Sequence, residues 1–109
     1  TEVHAPHGEV LVREGDPGRE FFLIASGSAT VTSGGRKRAT LVQGGFFGEM
    51  SLIDAGPRTA TVTAASPMVL YVLDAREFAA LLEESPTVMR KVLRSLAGRL
   101  RAAEKGHTH

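Results

Sequence analysis

Residues 29–42 read Ala29-Thr30-Val31-Thr32-Ser33-Gly34-Gly35-Arg36-Lys37-Arg38-Ala39-Thr40-Leu41-Val42. Two runs rich in threonine and valine flank a Gly-Gly pair. Both glycines tolerate positive φ, which a two-residue hairpin turn requires of its central positions. The stretch is therefore expected to fold as a β-hairpin with strands at 29–33 and 36–42. Alternation places Ala29 with Val31 on one face of the first strand and Ala39 with Leu41 on one face of the second.

The same texture continues on both sides. Upstream, Ser26-Gly27 separates the hairpin from a mostly apolar run at 20–25, and Glu14-Gly15-Asp16-Pro17-Gly18 forms a turn cluster after a short β run at 9–13. Downstream, Gly44-Gly45 opens an irregular stretch from 46 to 57. Two more strands are expected at 58–64 and 68–73, parted by Ser66-Pro67. Strands this short, joined by turns and not by crossover helices, favour an antiparallel roll or barrel.

From residue 74 the pattern changes. Asp74 followed by Glu77 is a capping box and marks a helix start, with Phe78, Leu81 and Leu82 as its apolar face. Ser85-Pro86 opens a second helix, serine as N-cap and proline at the first helical position. Met89, Val92, Leu93, Leu96, Leu100 and Ala103 form one stripe at helical spacing. Arg90, Arg94 and Arg101 lie opposite, whereas Arg99 falls only about 70° from the stripe's centre. The helical half is expected to end near 104, leaving 106–109 as an unfolded tail.

Composition narrows the function classes. The 109 residues amount to one domain, 42% of them hydrophobic, with a formal net charge of +1 and no cysteine. Thiolate chemistry and disulfides are excluded, and the charge is not the basic field of a nucleic-acid binder. The longest apolar run, Phe21-Phe22-Leu23-Ile24-Ala25, is far too short to span a bilayer. His4, His7, His107 and His109 are all near the ends, which argues against a metal centre or a metal-dependent enzyme on interior strands. Thr1 in place of an initiator methionine reads as a piece of a longer chain. The aromatics Phe21, Phe22, Phe46, Phe47 and Phe78 are expected in the core, and Arg36-Lys37-Arg38 on a solvated strand edge.

The chemistry concentrates in Phe46-Phe47-Gly48-Glu49-Met50-Ser51-Leu52-Ile53-Asp54-Ala55-Gly56-Pro57-Arg58-Thr59-Ala60-Thr61-Val62. Gly48 to Ile53 can make one helical turn, whose free N–H groups suit an anion. Arg58 carries a planar fork that can bond two phosphate oxygens at once, and the Glu49 carboxylate suits a sugar hydroxyl. The same residues also fit a capped turn with a surface arginine, a Glu49–Arg58 pair that shuts the loop, or an Arg58 held by an acid such as Asp54.

The segment resembles the phosphate-binding cassette of the cyclic-nucleotide-binding domain family, to which protein kinase A regulatory subunits, cyclic-nucleotide-gated channels and the catabolite activator protein belong. Its landmarks are Phe47-Gly48-Glu49, Ser51-Leu52-Ile53 and Pro57-Arg58-Thr59-Ala60-Thr61-Val62. The likeness extends upstream through Gly8–Asp16 and Phe22–Gly27 and downstream through Phe78–Pro86, covering roughly residues 2–104.

The resemblance implies a mainly β fold, an antiparallel β-roll of the double-stranded jelly-roll type. A short helical turn sits in the cassette and two α-helices close the C-terminal part. It implies that Arg58 pairs with the cyclic phosphate and Glu49 accepts from the ribose 2′-hydroxyl. Backbone N–H groups near Gly48 and Ala60 would complete the cradle, Met50 and Ser51 would also belong to the binding site, Thr59 would touch phosphate or base, and Ala29, Ala39 and Leu41 would pack against the base. Arg99 matches a base-capping position. The expected ligand is cAMP ahead of cGMP, Thr59 being compatible with either, with no further cofactor. The implied module is cytoplasmic, not an enzyme, and contacts neither nucleic acid nor membrane. Its last helix would relay binding to an effector domain and offer a homodimer contact. The helices that family members carry before the first strand are missing from this sequence. A roll without ligand, serving as an interaction surface, is the other reading.

Overall fold

The computed structural model describes residues 1–49 and 56–107, the side chains of 99, 100 and 102–107 excepted. Among the described residues, eight strands are followed by two helices. They are β1 (Glu2–Ala5), β2 (Val10–Val12), β3 (Phe21–Ser26), β4 (Ser28–Ser33), β5 (Arg36–Val42), β6 (Phe46–Phe47), β7 (Thr61–Ala64), β8 (Met68–Leu73), α1 (Ala75–Glu84) and α2 (Pro86–His107). The strands form two four-stranded sheets, ordered β1-β8-β3-β6 and β2-β7-β4-β5. Each pairing is antiparallel. This is the expected β-roll.

The core lies between the sheets. Ala5, Ile24, Phe47, Met68 and Leu70 come from one sheet and Ala29, Val62 and Ala64 from the other. Register explains the grouping. Ala29 stands opposite Leu41 and Ala64, and Val31 opposite Ala39 and Val62, so these side chains share the inner face. On the outer face Thr30 stands between Thr40 and Thr63. The hairpin turns where expected: Ser33 pairs with Arg36, and Gly34 and Gly35 have φ of 61° and 77°. The break between β3 and β4 needs its glycine for a second reason. A Cβ on Gly27 would lie 2.4 Å from the Pro67 carbonyl oxygen.

Several expectations are corrected. The last strand before Ser66 begins at Thr61, not at residue 58, because the Arg58 backbone pairs with a turn. Its N–H donates to the Asp16 carbonyl at 2.9 Å and its carbonyl accepts from Gly15 at 2.8 Å. β1 was not anticipated, and β6 lies in what reads as an irregular stretch. Phe21, Phe47 and Phe78 are buried as expected, while Phe22 and Phe46 are half-buried. The Phe22 and Phe47 rings stack at 4.6 Å.

The roll and the helices are two compact units, Thr1–Ala75 and Arg76–His109. In the helical unit, Ser85 caps α2 as expected, its hydroxyl accepting from the Val88 N–H at 3.3 Å. α2 continues through Gly106 and His107, where an unfolded tail was expected. A single glycine costs a helix only about 1 kcal/mol, and no proline follows to stop it. The apolar stripe is unevenly covered: Val92 is buried, Leu96 is half-buried, and Met89 and Leu93 are exposed. No helix among the described residues is long and apolar enough to cross a membrane.

Candidate functional site

Two ionisable side chains are buried among the described residues, Arg58 at 5% and Glu49 at 3% exposure. They are the two that the sequence singles out. Burial of charge is costly without partners, so the surroundings of Arg58 are informative.

Its guanidinium is held on several sides. Nη1 donates to the Glu20 carbonyl at 3.1 Å and to the Gly48 carbonyl at 3.4 Å. Nη2 donates to the Glu20 carboxylate at 3.4 Å. The Phe22 ring lies beneath, its centroid 5.8 Å from Cζ, within reach of a cation–π attraction. Burial holds the guanidinium below the ordinary arginine value, and the carboxylates of Glu20 and Glu49 pull it back up. Arginine nevertheless stays cationic.

Two glycines make this seat possible. A Cβ on Gly18 would lie 2.2 Å from Arg58 Nε. A Cβ on Gly48 would lie 2.5 Å from the Glu20 carbonyl oxygen and 2.9 Å from Nη1, and Gly48 has φ of +94°. Only a residue without a side chain fits that conformation comfortably. Gly48 thus engages Arg58 through its carbonyl, an interaction the sequence reading did not anticipate.

The remaining expected residues divide. Thr59 is exposed and its carbonyl accepts from the Ser33 hydroxyl at 3.4 Å; Ala60 is half-buried. Ala39 is exposed and Leu41 half-buried at one end of the inner sheet face, whereas Ala29 is wholly enclosed in the core. Ala29 therefore offers no surface of its own to a ligand. Met50, Ser51 and Asp54, and the side chain of Arg99, lie outside the described residues.

Other residues near Arg58 were missed. A cavity of about 230 Å³ beside it is lined by Val10–Arg13, Asp16, Pro17, Glu20 and Phe22. Among the described residues an acid bonded to Arg58 is Glu20, which the sequence reading did not consider. The available signal was the Asp16-Pro17-Gly18 turn, read only as a breaker, two residues before Glu20. Glu14 has a further structural part. Its carboxylate accepts from the Gly34 N–H at 3.0 Å and its own N–H donates to Thr61 Oγ1 at 3.0 Å. The hairpin tip and the start of β7 are thereby tied together.

Chemically, the site offers a fixed cation with a fork of donors and, close to it, a buried carboxylate. That combination suits a ligand carrying both an anion and a hydroxyl. Among the described residues no group of His, Cys, Asp or Glu side chains could hold a metal ion.

A family model described as the cyclic nucleotide-binding domain matches residues 2–85. The chain belongs to the cyclic-nucleotide-binding domain family. It is 40% identical over 96 residues to the human potassium/sodium hyperpolarization-activated cyclic nucleotide-gated channel 3, an alignment covering 88% of this chain and 12% of the channel. The fold agrees with the crystal structure of the Thermus thermophilus catabolite activator protein, with a TM-score of 0.81 and 34% identity over 97% of this chain and 52% of that one. It agrees also with cAMP-bound PfPKA-R, with a TM-score of 0.79 and 25% identity over 95% of this chain and 37% of that one. The chain thus spans about an eighth of the channel's length. The Arg58 seat described above sits inside the matched region of this cyclic-nucleotide-binding domain.

Proposed function

We propose that this domain is a binding module, not a catalyst, that takes a cyclic nucleotide, cAMP ahead of cGMP. The observation that carries the reading is the burial of Arg58 and Glu49 together in a member of this family. Arg58 would hold the cyclic phosphate through its charged fork. Glu49 would accept from the ribose hydroxyl. The inner sheet face toward Ala39 would meet the base, and Arg99 would cap it. The cAMP bound to PfPKA-R favours cAMP as the ligand.

Binding becomes a signal when one conformation takes the ligand better than another. We assign that role to the C-terminal helices, with an effector carried elsewhere in the protein, a homodimer contact along α2 and a cytoplasmic setting. The family's occurrence in channels and regulatory proteins supports this assignment.

The test is thermal unfolding of the domain with cAMP, cGMP and AMP in separate series. A raised midpoint with one cyclic nucleotide and none with AMP is expected. Equal shifts with AMP, or none with any of the three, would overturn the reading.

A further inference from the structure

Arg58 has two kinds of partner. Nη1 is committed to two main-chain carbonyls, those of Glu20 and Gly48, which set the plane of the guanidinium. Nη2 is engaged by a side chain, the Glu20 carboxylate. The two ends of this ion pair are differently free. Arg58 is 5% exposed and the Glu20 side chain 49% exposed. The cation is therefore fixed in the protein, and the carboxylate can turn away into water.

We propose that Glu20 is an internal competitor for the ligand, its carboxylate occupying the donor edge of Arg58 that an incoming phosphate anion takes. The inference rests on the nucleotide reading above and adds a residue that sets affinity at the same site. A carboxylate and a phosphate monoanion make the same charge-assisted bonds to a guanidinium, so the Glu20 carboxylate and an incoming anion compete for Nη2. Charge points the same way. With Glu20 in place, two carboxylates, Glu20 and Glu49, act on one guanidinium. An anion arriving at Arg58 then meets two like charges, and the departure of Glu20 removes one of them. Glu49 cannot serve as the movable group, because it is 3% exposed.

Glu20 holds Nη1 by its main chain and Nη2 by its side chain. Replacing the side chain leaves the structural bond intact. Glu20→Gln keeps the shape and removes the charge, and Glu9→Gln removes an equal charge from an exposed position of the roll. Isothermal titration of the parent and both variants with cAMP and with cGMP is the experiment, with circular dichroism confirming the fold of each.

Glu20→Gln is expected to bind about three- to ten-fold more tightly than the parent, in line with the loss of one competing charged hydrogen bond. Glu9→Gln is expected to match the parent within about two-fold. Equal or weaker binding by Glu20→Gln overturns the proposal and leaves the nucleotide reading standing. So does an equal gain in Glu9→Gln, which would mark a general charge effect. Binding by none of the three chains overturns the nucleotide reading and this inference with it.

Discussion

At the scale of single residues, the site depends on Arg58 and on the glycine that admits it. Arg58→Ala removes a charged fork whose bonds contribute roughly 1.5–3 kcal/mol each. Cyclic-nucleotide affinity should fall by at least about a hundredfold, read by titration calorimetry. The same change strips the Glu20 and Gly48 carbonyls of their donor, so the variant should also melt at a lower temperature. Gly48→Ala tests the seat without touching the charge. The new methyl would meet the Glu20 carbonyl and the guanidinium from a backbone at φ of +94°. A strained position of this kind costs on the order of 1–3 kcal/mol. Chemical denaturation should show that loss, and binding should weaken because the fork is pushed off line. Gly48→Ala with parental stability and affinity would mean that the loop relaxes freely around Arg58.

At the scale of elements, the β4–β5 hairpin was legible because its geometry is dictated locally. Gly34 and Gly35 both take positive φ, and no residue outside the turn is needed to explain it. Replacing the pair by Ala-Ala should destabilise the roll by about 2–4 kcal/mol, measured by urea unfolding. Asn-Gly in the same place should be tolerated, since asparagine also visits that region. The Ser85 cap was equally legible, for the same local reason. By contrast, β6 is two residues long and exists only through pairing with Phe22 and Leu23. No periodicity can announce a strand of that length. Glu20 was illegible for a related reason: its partner lies 38 positions away, and only the folded sheet brings them together. Arg58 and Glu49 stood out because the cassette pattern surrounds them, yet nothing in the pattern showed that Gly48 would face the arginine with its carbonyl.

At the scale of the whole molecule, ligand binding and stability are one measurement. A ligand at a hundred times its dissociation constant adds about 2.7 kcal/mol to the folded state. For a domain of this size that corresponds to on the order of 10 °C in melting midpoint. The cAMP, cGMP and AMP series therefore has room to rank ligands. The division into the units Thr1–Ala75 and Arg76–His109 sets what a single transition would mean. Melting of both units together would show that the helices respond to events in the roll, as a relay must.

The outer strand β5 has a consequence of another kind. It closes one end of its sheet and presents Arg36, Lys37 and Arg38, all exposed, along that border. An open border is a template on which a second chain can add a strand, and cations there repel an identical neighbour. This guard is electrical, not steric, so it reaches only as far as the surrounding ions permit, about 8 Å at physiological salt and about 3 Å at 1 M. Protein kept in dilute buffer carries its own protection against fibrous growth. At high salt that protection is weakened for as long as the salt is present, so edge-to-edge strand addition is expected to quicken as salt is raised.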